Sequence, residues 1–498
     1  MKKLYTTLSL LLLASVSLHA ESLDEKINEV IEPITNPIVS TIFYSLKFTI
    51  NGDEVAVPLV LIWLVIGAVF CTLYFKFINI KGFKTAINIV SGKYSDPNDK
   101  GEVSHFQALT TALSGTVGLG NIAGVAIAIS IGGAGATFWM IIAGILGMSS
   151  KFVECTLGVK YRKIDKNGTV YGGPMYYLST AFDSKSDGLK IMGKILAVIF
   201  AVACVFGSFG GGNMFQVNQA HYQFSSFIGS EWLANNGWLF GLIMALLVGI
   251  VILGGIKSIA KVTDKIVPFM CGIYVLAALI VLFYHFSDIP NAFQAIITGA
   301  FAPKAISGGI IGVMIQGFKR AAFSNEAGVG SASIAHSAVK TNQPASEGLV
   351  ALLEPFIDTV VVCTMTALVL VITGFDVATE ISGVELTAAA FSSVYGSFAN
   401  VVLTLAVVLF AFSTMISWSY YGLQAWQYLF GKSNYSTVTY KVIFCFFIII
   451  GASMSLAPVI DFSDAMIFLM CFPNILGMYL LAPIVKKELN KYIESIKQ

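Results

Sequence analysis

Long apolar segments dominate the hydrophobic pattern of this chain between residues 56 and 485. A transmembrane helix needs about 20 predominantly apolar residues. Eleven segments reach that length: 56–76, 108–132, 135–158, 193–220, 237–255, 264–286, 307–335, 348–374, 397–428, 437–455 and 458–485. The pattern therefore predicts an all-α polytopic membrane protein with eleven transmembrane helices.

Composition agrees with this prediction and excludes other classes of protein. Of the 498 residues, 56% are hydrophobic and 12% are charged, whereas an ordinary soluble protein has about 25% charged residues. The formal net charge is +2 and there is no basic arm, so the sequence does not indicate a nucleic-acid-binding protein. The seven cysteines lie in apolar segments without metal-ligand spacing, and we expect free thiols.

The first twenty residues have the pattern of a secretory signal peptide. Lys2 and Lys3 precede a short apolar segment at 8–16, and Ala20 ends a stretch that resembles a cleavage site. Leu18 is large for such a site, so a short uncleaved anchor is the alternative. We expect this organisation: a signal peptide at 1–20, an external segment at 21–54, a transmembrane domain at 55–485 and a cytoplasmic tail at 486–498.

Basic residues in the loops indicate how the chain crosses the membrane, because cytoplasmic loops carry an excess of Lys and Arg. The loop at 77–107 and the tail at 486–498 are rich in Lys, and the loop at 159–191 contains Arg162 as well as several Lys. The loops on the opposite side contain Lys304 and acids such as Glu231. We therefore expect a bacterial inner-membrane protein with the mature N-terminus outside and the C-terminus in the cytoplasm.

Two of the apolar segments, 108–132 and 307–335, contain glycine-rich interruptions. Glycine costs about 1 kcal/mol relative to alanine in a helix, and an opened backbone in a bilayer must be buried in protein or line a cavity. Counted from 108–132 as core helix 1, the second interrupted segment is core helix 6. Two broken helices five apart indicate a LeuT-type 5+5 inverted repeat, with one extra helix at 56–76. The alternative is that the glycines only permit close helix packing.

A broken helix offers ligands for both signs of charge. The amino end of one half-helix attracts an anion through its free N–H groups and dipole, and the carbonyl end of the other attracts a cation. We therefore expect Gly118, Gly120 and Asn121 to bind a carboxylate. The carbonyls of Thr116 and Val117 are expected to face sodium, and no organic cofactor is needed.

Polar side chains in other segments extend this expected site. Ser413 and Thr414 are adjacent hydroxyls, and hard cations prefer oxygen ligands; bonding to the carbonyl four residues earlier is the alternative. Gln216 is placed to accept from a substrate ammonium, or else it makes an interhelical hydrogen bond. We expect Phe318, beside the second break, and Trp418 to form the wall of a small pocket.

Four charged residues inside apolar segments are candidates for a gate. Lys319 and Arg320 lie in the second interrupted segment, and Glu354 and Asp358 lie four residues apart on one helical face. Because charges are costly in lipid, we expect these acids to pair with Lys319 or Arg320 at the inner gate. Helix-end charges in the headgroup region are the alternative. The histidines have no evident partners in the sequence.

Four stretches resemble the alanine/glycine:cation symporter family, also called sodium:alanine symporters. They are FQALTTALSGTVGLGNIAGVAIAISIGGAGATFWM (106–140), YGGPMYYL (171–178), GFKRAAFSNEAGVGSASIAHSA (317–338) and FSTMISWSYYG (412–422). The resemblance implies a LeuT-type fold with eleven spans and import of alanine or glycine, usually with sodium. It implies sodium ligands near Thr116 and at Ser413 and Thr414. It also implies substrate contacts at Gly120, Asn121, Gln216, Phe318, Thr414 and Trp418.

The sequence therefore favours a secondary active symporter for small neutral amino acids over other classes. A non-transporting amino-acid sensor is one alternative, but the cytoplasmic loops are short and contain no signalling module. An enzyme is disfavoured because no P-loop, HExxH or GxSxG motif is present. Proton-coupled symport on the same fold is the remaining alternative, and the sequence leaves the preferred amino acid and the oligomeric state open.

Overall fold

The computed structural model describes residues 36–50, 53–94, 96, 98–183, 185–302, 309–376 and 381–496. The expected signal peptide and half of the expected external segment lie outside the described residues. Nearly all of the expected transmembrane domain and tail are described, so the structure bears on the helices and on the candidate site.

Helices form most of the described chain. They are α1 (Leu59–Tyr74), α2 (Ile78–Lys81), α3 (Phe83–Val90), α4 (His105–Thr116), α5 (Val125–Gly132), α6 (Ala136–Lys160), α7 (Pro174–Thr180), α8 (Asp187–Phe209), α9 (Phe215–Ile228), α10 (Glu231–Ala234), α11 (Gly237–Ile252), α12 (Gly255–Tyr284), α13 (Ile289–Ala300), α14 (Gly309–Asn325), α15 (Ala332–His336), α16 (Pro344–Ala351), α17 (Leu353–Pro355), α18 (Thr364–Ile372), α19 (Val384–Tyr395), α20 (Ser397–Phe430), α21 (Asn434–Ser453) and α22 (Leu456–Ser495). Shorter segments join some of them: Gly120–Gly124, Gly210–Met214 and Phe356–Cys363 are π-helical, and Phe286–Asp288 is 3₁₀.

Apolar helices long enough to span a bilayer account for most of this structure. Seven helices qualify among the described residues: Ala136–Lys160, Asp187–Ile228, Gly255–Tyr284, Pro344–Ile372, Phe398–Phe430, Asn434–Ser453 and Leu456–Ser495. The bent pair His105–Thr116 and Gly120–Gly132 counts as an eighth, and α1 and α11 are shorter apolar helices. The protein is therefore a multi-pass membrane protein, and the total of eleven spans stays a prediction.

Two short β-hairpins depart from the predicted all-α architecture. β1 (Ser45–Ile50) pairs antiparallel with β2 (Asp53–Pro58), which leads directly into α1. β3 (Lys163–Ile164) pairs antiparallel with β4 (Val170–Tyr171) in the connection between α6 and α7. The protein is thus mostly helical rather than entirely helical.

Small residues at helix crossings bring the backbones close together. Gly422 of α20 faces Ser208 of α8 and Tyr440 of α21, and a Cβ added to it would lie 2.6 Å from the Cβ of Ser208. The hydroxyls of Ser208 and Tyr440 are hydrogen-bonded to each other at 2.9 Å. Helices in a bilayer associate through such close packing and interhelical hydrogen bonds, because lipid is as apolar as their side chains.

Gly422→Ala should destabilise this crossing, because the new methyl group collides with Ser208 and Tyr440. We expect a loss of about 1–3 kcal/mol, the usual cost of overpacking a close contact. The measurement is the thermal unfolding temperature of the purified protein in detergent.

Gly272→Ala on α12 is the matched control, since nothing lies within 4 Å of a Cβ added there. Alanine should leave stability unchanged or raise it by up to about 1 kcal/mol through helix propensity. Equal effects of the two substitutions would contradict the packing described at Gly422.

Candidate functional site

The first helix break lies where the glycine pattern predicts an opening. α4 ends at Thr116, and the π-helical turn of Gly120–Gly124 leads into α5, with an angle of 52° between the two arms. Val117 has a non-helical backbone, with φ −76° and ψ 85°. The N–H groups of Gly118 and Leu119 therefore have no intrahelical carbonyl to bond and must be satisfied by other groups.

Amide side chains satisfy these two N–H groups. Gly118 N donates to Asn121 Oδ1 at 2.8 Å, and Leu119 N donates to Gln216 Oε1 at 3.0 Å. Gln216 is held in turn by its Nε2, which donates to the carbonyl of Gly211 at 2.8 Å. The structure thus brings together Gly118, Asn121 and Gln216, three of the residues expected to bind substrate.

Gly118 has no room for a side chain in this arrangement. A Cβ added to it would lie 3.0 Å from Gln216 Oε1 and would collide with the hydroxyl of Thr414. Thr414 Oγ1 donates to the carbonyl of Ser114 at 2.9 Å, which joins α20 to the end of α4. Thr414 therefore lies at the first break, as expected.

The hydroxyl of Ser413, an expected ligand, makes local contacts, and so does the hydroxyl of Thr116, whose backbone carbonyl was the expected ligand. Ser413 Oγ donates to the carbonyl of Phe410 at 3.0 Å and lies 3.3 Å from Met270 Sδ. Thr116 Oγ1 donates to the carbonyl of Ala112 at 3.3 Å. Both hydroxyls thus satisfy carbonyls of their own helices, which was the alternative interpretation for a single Ser or Thr.

The second break lies further along the chain than the glycine pattern indicated. α14 continues to Asn325 and α15 begins at Ala332, and between them Glu326, Gly328 and Gly330 have φ of 55°, 87° and 94°. Positive φ is unfavourable for a residue with a Cβ, so the two glycines suit this turn.

Phe318 consequently lies inside α14, about two turns before the second break. The expectation that it flanks the break is wrong: it packs against Trp139, with ring centroids 6.2 Å apart. Phe323 is the aromatic residue next to the break, and its ring lies 5.2 Å from that of Phe215. Phe323 was not identified from the sequence. The signal that could have identified it is its position two residues before Asn325, where α14 ends.

Trp418 connects α20 to the second break. Its indole Nε1 donates to Glu326 Oε1 at 2.9 Å, and Glu326 also accepts from the hydroxyl of Ser331. The Trp418 ring lies against Gly212, where an added Cβ would collide with it. Trp418 is therefore positioned between the second break and the π-helical turn of Gly210–Met214.

Asp358 belongs to the first break and not to a gate with Lys319 or Arg320. Its carboxylate accepts from Asn121 Nδ2 at 2.7 Å, Ser324 Oγ at 2.8 Å and Thr359 Oγ1 at 2.7 Å. It makes no ion pair within the described part of the chain. The expected pairing of Asp358 is therefore wrong, and Asp358 is a buried carboxylate bound by neutral donors.

The other gate candidates also have different partners from those expected. Lys319 Nζ lies 2.9 Å from Asp464 Oδ2, and Arg320 pairs with the same carboxylate. Glu354 instead pairs with Lys151 at 3.2 Å and with His336. Sequence reasoning missed Asp464, which is 144 positions from Arg320, although an acid inside an apolar segment was a visible signal.

Oxygen atoms of the kinds that hard cations prefer lie near the first break. A hard cation prefers carboxylate, carbonyl and hydroxyl oxygens. Asp358 supplies a buried carboxylate, the opened backbone at Thr116 and Val117 supplies carbonyls, and Thr414 supplies a hydroxyl. The expected ligand atoms of Thr414 and of the opened backbone thus lie at one break.

The fold is that of a LeuT-type transporter. The structure of MhsT in complex with L-phenylalanine superposes with a TM-score of 0.56, covering 78% of this chain and 99% of MhsT at 14% sequence identity. At that identity the similarity concerns the fold alone.

The chain belongs to the sodium:alanine symporter family, whose family model matches residues 44–498. The sodium/alanine symporter AgcS of Methanococcus maripaludis is 41% identical over 459 residues, which are 91% of this chain and 98% of AgcS. A probable sodium/glutamine symporter of Bacillus subtilis, GlnT, is 32% identical over 90% of each chain. The protein is therefore a transporter and not an enzyme.

Gly118→Ala should abolish uptake of labelled alanine, because the methyl group displaces Thr414 and Gln216 from the first break. Gly124→Ala is the matched control in the same broken helix, since the nearest atom to its added Cβ is 4.0 Å away. Uptake and expression of both variants in whole cells test this. Retained uptake by the Gly118 variant would contradict the close contact with Thr414.

Asp464→Ala should destabilise the protein by about 3–5 kcal/mol, because Arg320 is left as a buried cation without its anion. Glu488→Ala is the control: its partner Lys160 is 38% exposed, and such pairs contribute about 0–1 kcal/mol. Thermal unfolding in detergent compares the two, and similar losses would show that the Asp464 cluster does not stabilise the fold.

Proposed function

We propose that this protein imports alanine or glycine together with sodium by alternating access. The observation that carries the proposal is the buried carboxylate of Asp358, which three neutral donors hold beside the opened backbone of the first break. An uncompensated charge is costly inside a membrane protein, so a bound cation stabilises this site. Membership of the sodium:alanine symporter family supports sodium as that cation.

The substrate carboxylate binds at the N–H groups of Gly118 and Leu119 in this proposal. Asn121 and Gln216 now offer their amide oxygens to these donors, and oxygens of the substrate carboxylate replace them. Gly120, Thr414 and Trp418 complete the proposed set of contacts, whereas Phe318 lies within α14 against Trp139. Because a zwitterion has no net charge, its binding leaves the charge of Asp358 for the cation to balance.

Sodium is bound next to the substrate by the carbonyls of Thr116 and Val117, by Ser413 and Thr414, and by the charge of Asp358. We propose that the pocket is small, because two large buried side chains lie beside the breaks: Trp418 is 1% exposed and Phe323 is 5% exposed. Large neutral side chains should therefore be excluded, while alanine and glycine fit.

Alternating access needs closure on each side of this site. We propose eleven spans in a bacterial inner membrane, with the mature N-terminus outside after removal of a signal at 1–20, and the C-terminus in the cytoplasm. In this orientation Lys319 and Arg320, in the half-helix before the second break, form the outer closure with Asp464. Glu354, beyond that break, belongs to the cytoplasmic closure.

Uptake into proteoliposomes tests the proposal. Labelled alanine or glycine should enter only under an inward sodium gradient, and phenylalanine or glutamine should not compete. Asp358→Asn keeps the size of the side chain but removes its charge, and we expect a fall in sodium affinity of at least tenfold, about 1.4 kcal/mol. Glu488→Gln, at an ion pair whose Lys160 side chain is 38% exposed, is the control and should behave like the wild type.

The competing mechanism is neutralisation of Asp358 by a proton, which would make the protein a proton-coupled symporter. Equal uptake under a proton gradient in sodium-free buffer would establish that mechanism and remove sodium. Binding of alanine or glycine without uptake in any gradient would instead establish a sensor.

A further inference from the structure

Five ionisable side chains from different helices form a continuous series, called here the His336 chain: His105, Glu347, His336, Glu354 and Lys151. His105 Nδ1 contacts one carboxylate oxygen of Glu347, and His336 Nδ1 contacts the other at 2.5 Å. His336 Nε2 contacts one oxygen of Glu354, whose second oxygen lies 3.2 Å from Lys151 Nζ. The side chain of His105 is 7% exposed and the other four are fully buried.

The two contacts of His336 need one more proton than a neutral imidazole carries. A neutral imidazole has one N–H and one bare nitrogen, so it donates to one partner only, and an ionised carboxylate only accepts. Yet each ring nitrogen of His336 faces a carboxylate oxygen. Either an imidazolium lies between Glu347 and Glu354, or one of these two carboxyl groups holds a proton and donates it to the ring nitrogen that it faces. In both cases one exchangeable proton completes the contacts.

The groups around His336 include several that are charged or titratable. Other titratable or charged groups face the cluster from the helices and the loop packed on it: Lys151 and Cys155 on α6, His105 on α4, Tyr421 on α20, Glu326 at the second break and Arg162 after α6. Arg162 is fixed by hydrogen bonds to backbone carbonyls, among them that of Ser337 at 2.7 Å. Loss of the proton from His336 therefore leaves the carboxylates of Glu347 and Glu354 without a positive charge between them, while Lys151 still contacts Glu354.

The His336 chain connects segments that must separate if the protein is to open at this end. His105 begins α4, the arm before the first break, and His336 ends α15, the short helix after the second break. Glu347 lies on α16, and Glu354 lies on α17. The His336 chain thus connects one arm of each broken helix to the helices α16 and α17.

We propose that His336 with its two carboxylates is a proton-binding site that holds the cytoplasmic gate closed. With the proton bound, Glu347 and Glu354 are bridged and α15 stays tied to α16 and α17. Without it, Glu354 faces a bare nitrogen, the two carboxylates repel each other, and the gate opens more readily. The inference rests on the proposed function for transport and for the cytoplasmic position of His105.

A divalent metal is the other ligand that these side chains suggest. Cys155, His336 and Glu354 offer ligand atoms that lie within 4.8 Å of one another. Both ring nitrogens of His336 already contact carboxylate oxygens, however, so neither offers a free lone pair in this arrangement. A proton accounts for the contacts directly.

Exchange of labelled for unlabelled alanine across proteoliposomes, with saturating sodium and the same pH on both sides, tests the proposal without a need for oriented protein. Wild-type exchange should rise at least about fivefold from about pH 6 to about pH 9, because histidine changes its charge between about pH 5 and pH 8 and the two carboxylates beside His336 favour its charged form. The double variant Lys151→Met with Glu354→Gln should exchange at a rate that changes less than about twofold over that range. Its glutamine amide donates to the neutral Nε2, so the tie persists without an exchangeable proton. Glu488→Gln is the matched control and should keep the wild-type profile.

Hydrogen exchange of the wild-type protein in detergent provides a readout that does not depend on transport. After correction for the intrinsic pH dependence of amide exchange, protection of α15 should fall as pH rises, relative to that of α8. The double variant should show constant protection of α15.

Several outcomes would overturn the proposal. They are a flat wild-type exchange profile, a double variant that keeps the wild-type slope, or constant protection of α15 in the wild type. Zinc-dependent exchange abolished by a chelator would replace the proton with a metal. Absence of alanine or glycine exchange at every pH would refute the proposed function instead, and the hydrogen-exchange result would still decide on the proton site. If the double variant fails to fold, the wild-type measurements decide alone.

Discussion

The structure depends on one constraint: a helix that opens inside a membrane must find partners for its freed backbone groups within the protein. No water is available there, and an unsatisfied N–H or carbonyl costs several kcal/mol. At the first break Asn121 and Gln216 supply those partners. At the second, Gly328 N donates to Glu154 at 2.6 Å and its carbonyl accepts from Asn474 Nδ2 at 2.8 Å. Polar residues on α6, α9 and α22 are thus located where the breaks require them.

The same constraint distributes the charges. A buried charge is tolerated only when it is paired or hydrogen-bonded, and each buried acid of the two closures meets this condition through another helix. Asp464 of α22 binds two cations of α14, while Glu354 of α17 binds groups from α6 and α15. In the proposed orientation, the Asp464 cluster lies on the outer side of the two breaks and the Glu354 cluster lies on the cytoplasmic side. The polar interior therefore also joins the helices that the proposed alternating access requires to move.

The sequence predicts the apolar helices and the first break well, because both depend on local composition. Length and hydropathy define a span, and three glycines within six residues define an opening near Gly118. The second break is different: glycine occurs at 317, 328 and 330, and only the structure shows that α14 continues past Gly317. Gly317 packs tightly against the backbone of α6: a Cβ added to it would lie 2.6 Å from Ala136 O. Close packing therefore explains why this position is a glycine.

Pairing of side chains could not be predicted for a related reason. Arg320 and Asp464, or His105 and Glu347, meet through the tertiary fold at separations of 144 and 242 residues. Periodicity on one helix indicates which face a charge occupies but not which helix lies opposite. The charged residues were therefore identified correctly as unusual, while their partners were assigned to the wrong helices.

Asn121 has a consequence of its own, because its one amide group contacts both of the proposed ligand sites. Its oxygen accepts a hydrogen bond from the N–H of Gly118, and its nitrogen donates one to the carboxylate of Asp358. A ligand that displaces the oxygen alters the bond of the nitrogen, and the reverse also holds. Thermodynamic linkage makes such an effect reciprocal. If the cation changes the affinity for the amino acid by some factor, the amino acid changes the affinity for the cation by the same factor. A single carboxamide would thereby couple the binding equilibria of the proposed amino acid and cation.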